Sequence, residues 1–432
     1  SLLHQFDPYD STTIETSDDD VYQFTHKFQK STKNNPLCGI CWGPWMKLLW
    51  KRRHQIHWIQ YWSRLLVVTV LSILNSLLAL PELWLYESQI QSTEIPSRPV
   101  FILGHPRTGT TMLHSLLALD EEQFFICTTF CAGFPSCFLW LETMGKILFR
   151  HVIDDTRPMD NFPLHFDLPQ EDELATNVLC AGDAVSPYMP LWFMTSEPEF
   201  RPYYAFALKD VHENDEVITD DTYLPLEPMA RAKRIWTTSF LYLLRKLTLR
   251  SRLRMKNGST VHQQQRRLLL KSPVHTARIA LLLQLFPDAQ FIYIHRHPYD
   301  VFRSAAHMAD TTYWYTYLAT PSNEQIQEFI LRQYEILWQT YQEGKQLLTA
   351  SQLIEVSYEE LSQQPLATVE RIYQQLGWKL SNQYRQTLLA DIGERTNYQV
   401  NQHKSLPAGI ISIINERWSD SFAVLGYKKI ES

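Results

Sequence analysis

The stretch Val100-Phe101-Ile102-Leu103-Gly104-His105-Pro106-Arg107-Thr108-Gly109-Thr110-Thr111 constrains this chain more than any other. Its first four residues form a continuous apolar run, the pattern of a strand buried on both faces. A loop bounded by Gly104 and Gly109 follows, and residues 112–119 then carry apolar side chains at helical spacing. Strand, glycine-bounded loop and helix together aim backbone N–H groups and a helix N-terminus at an anion, above all a phosphate. The Gly-x4-Gly spacing is that of a nucleotide P-loop. However, Thr110 stands where that loop carries lysine, and the cation comes earlier, at Arg107. The segment is expected to hold an anionic nucleotide without Mg-ATP chemistry.

Other strand-like and helix-like runs alternate around it. Residues 267–270, 291–294 and 353–356 read as strands, and 277–286, 299–308, 325–348 and 366–376 as helices. The pattern predicts an α/β fold: a P-loop-like parallel sheet flanked by helices over residues 98–432, behind a helical N-terminal extension over 1–97. Residues 121–262 are less regular and rich in Pro, Trp and Tyr, and read as a substrate-side insertion and lid. A net charge of −6 argues against a general nucleic-acid binder. Six cysteines in 432 residues are no disulfide framework. Cys38-x2-Cys41 lacks a second pair at ligand spacing, so no metal is expected, and Cys127 and Cys131 read as packed thiols.

The extension has its own character. Residues 1–35 are polar and read as a flexible lead-in. Residues 47–64 interleave Lys47, Lys51, Arg52, Arg53 and Arg64 with Trp50, Trp58, Tyr61 and Trp62, a mixture suited to a membrane interface, so membrane contact is expected through 47–86. The apolar run Leu65–Leu80 ends at Pro81; its 16 residues fall short of the roughly 20 that span a bilayer. Thr69, Ser72, Asn75 and Ser76 lie near one helical face. A helix packed on the domain or lying on a membrane is favoured over a span. If it does span, the positive-inside tendency puts residues 1–60 in the cytosol and the rest in a lumen. Membrane association at the Golgi or endoplasmic reticulum is favoured over a cytoplasmic location. The sequon Asn257-Gly258-Ser259 bears on this only if that part faces a lumen. The sequence begins at Ser1 rather than Met, so targeting is not legible there.

A second anchor follows the strand at 291–294. Arg296 lies just past its carboxyl end, and Ser304 eight residues on in the next helix. Ligands of open α/β sheets bind at that end, so Arg296 is placed to meet a second phosphate and Ser304 to hydrogen-bond it.

Together the two anchors resemble the sulfotransferase superfamily, whose members take a sulfuryl group from 3′-phosphoadenosine 5′-phosphosulfate (PAPS). The resemblance extends over residues 98–428. It is strongest to the branch of tyrosylprotein sulfotransferases and bacterial enzymes of unassigned substrate. Residues 106–111 look like its 5′-phosphosulfate loop, which implies donor contacts from Arg107, Thr108, Gly109, Thr110 and Thr111. Arg296 to Ser304 is similar to its 3′-phosphate segment. Leu270-Lys271-Ser272-Pro273 resembles that branch's Lys-x-Pro, and Tyr358-Glu359-Glu360-Leu361 its Tyr-Glu-x-Leu near the adenine. Residues 401–406, with Lys404 and Ser405, resemble a C-terminal loop that closes on the nucleotide. The resemblance implies PAPS as co-substrate, 3′,5′-adenosine bisphosphate as product, and no metal.

The residue chemistry fits that expectation. A sulfuryl group carries less charge than a phosphoryl group, so fixed cations can replace a metal at the transition state, by analogy with phosphoryl transfer. Arg107 would neutralise the transferring group, and Lys271 the leaving oxygen. The acceptor needs a base. Glu171 or Asp172 could supply it, although carboxylates at a helix start are also what the macrodipole favours; His165, His275 and His114 are weaker candidates. The tyrosylprotein branch carries a glutamate base shortly after the first helix, whereas Thr128-Thr129-Phe130-Cys131 has none. That leaves both the base and a peptide-tyrosine acceptor open. Phe134, Phe138, Trp140, Tyr188, Trp192 and Phe193 suggest a hydroxyl or amine acceptor with an apolar body, such as a lipid, sterol, phenol or sugar. The alternatives are a P-loop small-molecule kinase and a non-catalytic nucleotide-binding scaffold. The oligomeric state stays open.

Overall fold

The computed structural model describes residues 21–26, 28–32, 35–150, 156–157, 159, 164–205, 229–254, 266–395 and 405–430. Five strands, β1 (Val100–Leu103), β2 (Phe124–Ile126), β3 (Arg267–Lys271), β4 (Gln290–His295) and β5 (Leu353–Ser357), form one sheet in the order β2-β3-β1-β4-β5. Every pairing is parallel. The apolar runs are continuous because both faces are covered. Successive residues serve opposite faces: Phe101, Leu103, Leu270, Phe291 and Tyr293 enter one core, and Val100, Ile102, Leu269, Ile292 and Ile294 the other.

Four of the five strands lie where the apolar runs predict them. The exception is β2, inside the stretch read as irregular insertion. It pairs with β3 through Phe124↔Arg267, Phe125↔Leu268 and Ile126↔Leu269, so part of that stretch belongs to the sheet. The same stretch supplies the 26-residue helix Met229–Arg254, which buries Trp236, Phe240, Leu243 and Leu247. A three-residue strand is too short for alternation to register, and a helix buried on many sides loses its amphipathic stripe.

The N-terminal extension shares the larger core. Helices α1 (Trp42–Arg52) and α2 (Trp58–Ser92) contribute Trp45, Leu48, Tyr61, Leu65 and Val68 to it. Helix α2 runs 35 residues, straight through the Pro81 expected to end it. Its next turn is anchored: Glu82 is buried, ion-paired with Lys246, and accepts the Leu139 N–H at 2.7 Å. That tertiary hold offsets the one backbone bond that proline removes. The lead-in also differs from expectation over residues 21–32. Val21 and Phe24 are buried, and Asp310 accepts bonds from both the Thr25 N–H and its hydroxyl.

Candidate active site

The carboxyl ends of the strands carry the polar cluster, at the edge where open α/β sheets bind ligands. After β1 the chain turns through Gly104 (φ 144°), Arg107 (φ 76°) and Gly109 (φ 93°) into helix α3 (Thr110–Ala118). Each glycine is required. A Cβ on Gly104 would sit 2.5 Å from the Ile294 carbonyl oxygen, and one on Gly109 would sit 2.4 Å from the Tyr358 ring. Arg107 holds a left-handed conformation that disfavours a side chain, a form of strain concentrated at functional sites. Thr108 braces the turn, its hydroxyl donating to the His105 carbonyl at 2.8 Å. The opening N–H groups of α3, at Thr110 and Thr111, have no intrahelical acceptor.

Two groups of side chains flank this loop. On the β4 side, the Arg107 Nε donates to Ser304 Oγ at 2.9 Å. Ser304 lies on helix α4 (Pro298–Thr312), whose first residue is a proline suited to that position. Arg296 reaches the Arg107 carbonyl at 3.4 Å and stacks its guanidinium 4.4 Å from the Tyr358 ring centroid. Its Nε is buried and has no hydrogen-bond partner among the described residues. Arg296, Ser304, Arg107 and Tyr358 are therefore one constellation, although 62 residues separate Arg296 from Tyr358.

On the β3 side, Lys271 at the strand end is almost fully buried. It donates to Glu171 at 2.8 Å and lies 3.5 Å from the Thr111 hydroxyl. Glu171 precedes the helix Asp172–Cys180 and accepts the Tyr188 hydroxyl on its other oxygen at 2.5 Å. It is held near β2 because the Gln170 N–H donates to the Cys127 carbonyl and Thr128 bridges Pro169. Burial works to raise the Glu171 carboxyl. Lys271 and the Tyr188 hydroxyl outweigh it and hold the carboxyl below the usual range, so it is ionised at neutral pH. Burial pulls the Lys271 ammonium down, against the opposing pull of Glu171.

Asp172 is sealed beneath this pair with no exposed surface. It accepts from Ser272 at 3.2 Å and contacts His275 Nε2 at 2.6 Å. Of the weaker histidine candidates, His275 is thus committed to Asp172. His114 is fully buried and pushed down to about 3 by burial and by Lys271. His165 lies exposed with its Nδ1 accepting the Asp167 N–H at 3.3 Å. Lys404 lies outside the described residues, as does the 257–259 sequon; Ser405 is exposed. The described residues contain no group of three or more His, Cys, Asp or Glu able to hold a metal.

The residues align with known proteins along most of the chain. Residues 99–382 match the profile described as "Sulfotransferase family". This chain belongs to the sulfotransferase family. It is 29% identical over 392 residues to the omega-hydroxy-beta-dihydromenaquinone-9 sulfotransferase Stf3 of Mycobacterium bovis and of Mycobacterium tuberculosis, covering 90% of this chain and 91% of each relative. Its fold matches sulfotransferase STF1 from Mycobacterium tuberculosis H37Rv, with a TM-score of 0.58 at 18% identity, covering 94% of this chain and 93% of that one. Sulfotransferase STF9 from Mycobacterium avium gives 0.56 at 16% identity, covering 85% and 86%. Membership sets the P-loop kinase reading aside.

The candidate site contains residues with no sequence signal. Tyr188, grouped with the aromatics of an acceptor pocket, instead holds Glu171. Phe138, Trp192 and Phe193 are fully buried core rather than pocket wall, and Trp140 donates to the Leu78 carbonyl. Arg157, 3.4 Å from the Thr111 hydroxyl, carried no sequence signal at all.

Proposed function

We propose that this sulfotransferase moves a sulfuryl group from PAPS to a hydroxyl on a lipid acceptor, releasing 3′,5′-adenosine bisphosphate. One observation carries the reading. An ionised carboxylate, Glu171, and a buried cation, Lys271, touch each other beside Thr111, the second residue of the helix that an anion-binding loop opens. The donor's fit is supported by the buried, unsatisfied Arg296 Nε and by the positive-φ loop, which a Cβ at Gly109 would close against Tyr358.

PAPS, when bound, would supply an activated S–O bond to a good leaving group. The chain's own residues would do the rest. Arg296 and Ser304 would take the 3′-phosphate, and the loop N–H groups with Thr110 and Thr111 the 5′-phosphate. Arg107 bonds Ser304, so it would bridge the two phosphate positions rather than serve the sulfuryl alone. Lys271 would transfer its hydrogen bond from Glu171 to the bridging oxygen as that S–O bond breaks. Glu171 would accept the acceptor's hydroxyl proton as the new S–O bond forms. Departure of Lys271 removes the charge that holds Glu171 ionised, which makes it a stronger base when it is needed. A lipid acceptor is favoured because the Stf3 relatives are named for an ω-hydroxylated menaquinone.

Calorimetric titration with 3′,5′-adenosine bisphosphate in the presence of EDTA tests the donor. Binding that weakens at least tenfold in Arg296→Ala is expected, since the charged hydrogen bonds lost are worth about 1.5–3 kcal/mol. Binding that needs Mg²⁺, or that ignores the substitution, would overturn the assignment.

A further inference from the structure

Helix α2 is amphipathic in the inverted sense. Its polar residues face the protein: Arg64, Ser72, Asn75 and Glu82 are all buried. Arg64 donates to the carbonyls of Ser31, Tyr317 and Trp314, and Asn75 to those of Cys38 and Ile40. The opposite face is apolar and exposed. Ile59, Trp62, Leu66, Ile73, Leu77 and Trp84 recur at spacings of three, four, seven, four and seven, one helical stripe. Ile59 is 93% and Trp84 85% exposed. The stripe runs about 37 Å at 1.5 Å per residue, and scattered exposed side chains do not make such a patch. It widens onto the neighbouring helix Phe138–Leu148, where Met144, Ile147 and Leu148 are exposed and Trp140 bonds back to the Leu78 carbonyl.

We propose that this face is a docking surface for an anionic lipid bilayer, with α2 lying in the plane of the interface rather than crossing it. The helix is long and apolar enough to span. Crossing would strip it from the domain and expose Arg64 and Glu82 to hydrocarbon, which costs several kcal/mol per charge. Lying flat keeps every buried polar contact and covers only the apolar stripe.

Charge selects the occupant. Residues 21–81 contain eight Lys or Arg and no Asp or Glu, in a chain whose net charge is −6. Arg53 is exposed beside the stripe, and its guanidinium stacks 4.6 Å from the ring of Trp50, itself 70% exposed. Tryptophan with cations at the edge of an apolar face is the composition of the headgroup boundary. Lys47 and Lys51 pair with Asp183, Arg52 with Glu199 and Arg64 with backbone carbonyls, so Arg53 beside Trp50 is the cation this face presents to an anionic headgroup. The face connects to the candidate site: Arg64 and Tyr61 hold residues 314–320, which follow Tyr313, a phenol close enough to Arg107 and Glu171 to feel both charges. The proposal rests on α2 and its flanking residues and stands whatever the donor proves to be.

The test is flotation of the full chain, diluted from mild detergent, with phosphatidylcholine vesicles and with vesicles carrying about one-third phosphatidylglycerol. The wild type should float with both, more completely with the anionic ones. Leu66→Glu with Leu77→Glu should reduce flotation at least tenfold while leaving the circular dichroism spectrum and melting temperature unchanged. Should that pair fail to fold, Trp84→Ser and Ile59→Ser at the two ends of the stripe should each weaken flotation. Wild-type protein that stays in the bottom fraction, or flotation indifferent to the substitutions, would overturn the proposal. So would a light-scattering dimer that the substitutions dissociate, which would assign the face to a second copy.

Discussion

Glu171 and Asp172 are consecutive carboxylates at the start of one helix, yet they belong to different regions of the molecule. Glu171 keeps 22% of its side chain exposed, held by Lys271 and Tyr188 at the carboxyl end of β3. Asp172 is sealed with His275 and Ser272, and the next residue, Glu173, is sealed with Arg278, Trp236 and Ser186. In the proposed transfer the Glu171–Lys271 pair would exchange partners as the donor arrives. The sealed network cannot, because every oxygen it exposes to the interior would lose a bond with no water to replace it. The comparison teaches that charge near a site is not a sufficient criterion for catalysis; the group must be able to change its partner.

The sharpest way to break this comparison is to remove the sealed acid. Asp172→Asn should destabilise the protein by about 1.5–3 kcal/mol, the worth of hydrogen bonds to a charged group. Urea unfolding would measure it. A loss below about 1 kcal/mol would show that Asp172 is no more structural than its neighbour.

A smaller effect sharpens the cleft side. Tyr188→Phe removes a hydrogen bond to ionised Glu171 and should lower kcat about tenfold. The sign of its pH effect is fixed. The native Glu171 pKa is depressed, so the stability it contributes is present above its unfolded value of about 4.3 and is lost as pH falls through the native value. Removing the phenol raises the native value. The acid limb of kcat/KM should therefore move to higher pH, and the acid unfolding transition should respond less to residue 171. An unmoved limb would separate Tyr188 from the base.

Much of this arrangement was legible in the residues. The apolar runs at 100–103, 267–270, 291–294 and 353–356 fixed four strands, and the residues just beyond them, Arg107, Lys271, Arg296 and Tyr358, cluster at one edge because parallel strands share a carboxyl end. Four things were not legible. The β2 strand is too short for a period to appear. Pro81 reads as a helix stop unless the buried partners of Glu82 are known. The base was ambiguous because successive residues at a helix start carry the same local signal while pointing about 100° apart, so only the packing distinguishes the cleft from the interior. Tyr188 was invisible as a partner for the same reason: its distance from Glu171 in sequence carries no period.

In the proposed mechanism Glu171 is the proton acceptor of sulfuryl transfer. The most direct measurement is single-turnover transfer from PAPS to an ω-hydroxylated polyprenyl quinone by Glu171→Gln, with calorimetry confirming that 3′,5′-adenosine bisphosphate still binds. The predicted result is a transfer rate reduced by about 10²–10⁴-fold with bisphosphate affinity within a few-fold of wild type, an unchanged circular dichroism spectrum, and a melting temperature lowered by the loss of the Lys271 contact. Transfer within threefold of wild type, at full occupancy, would contradict it.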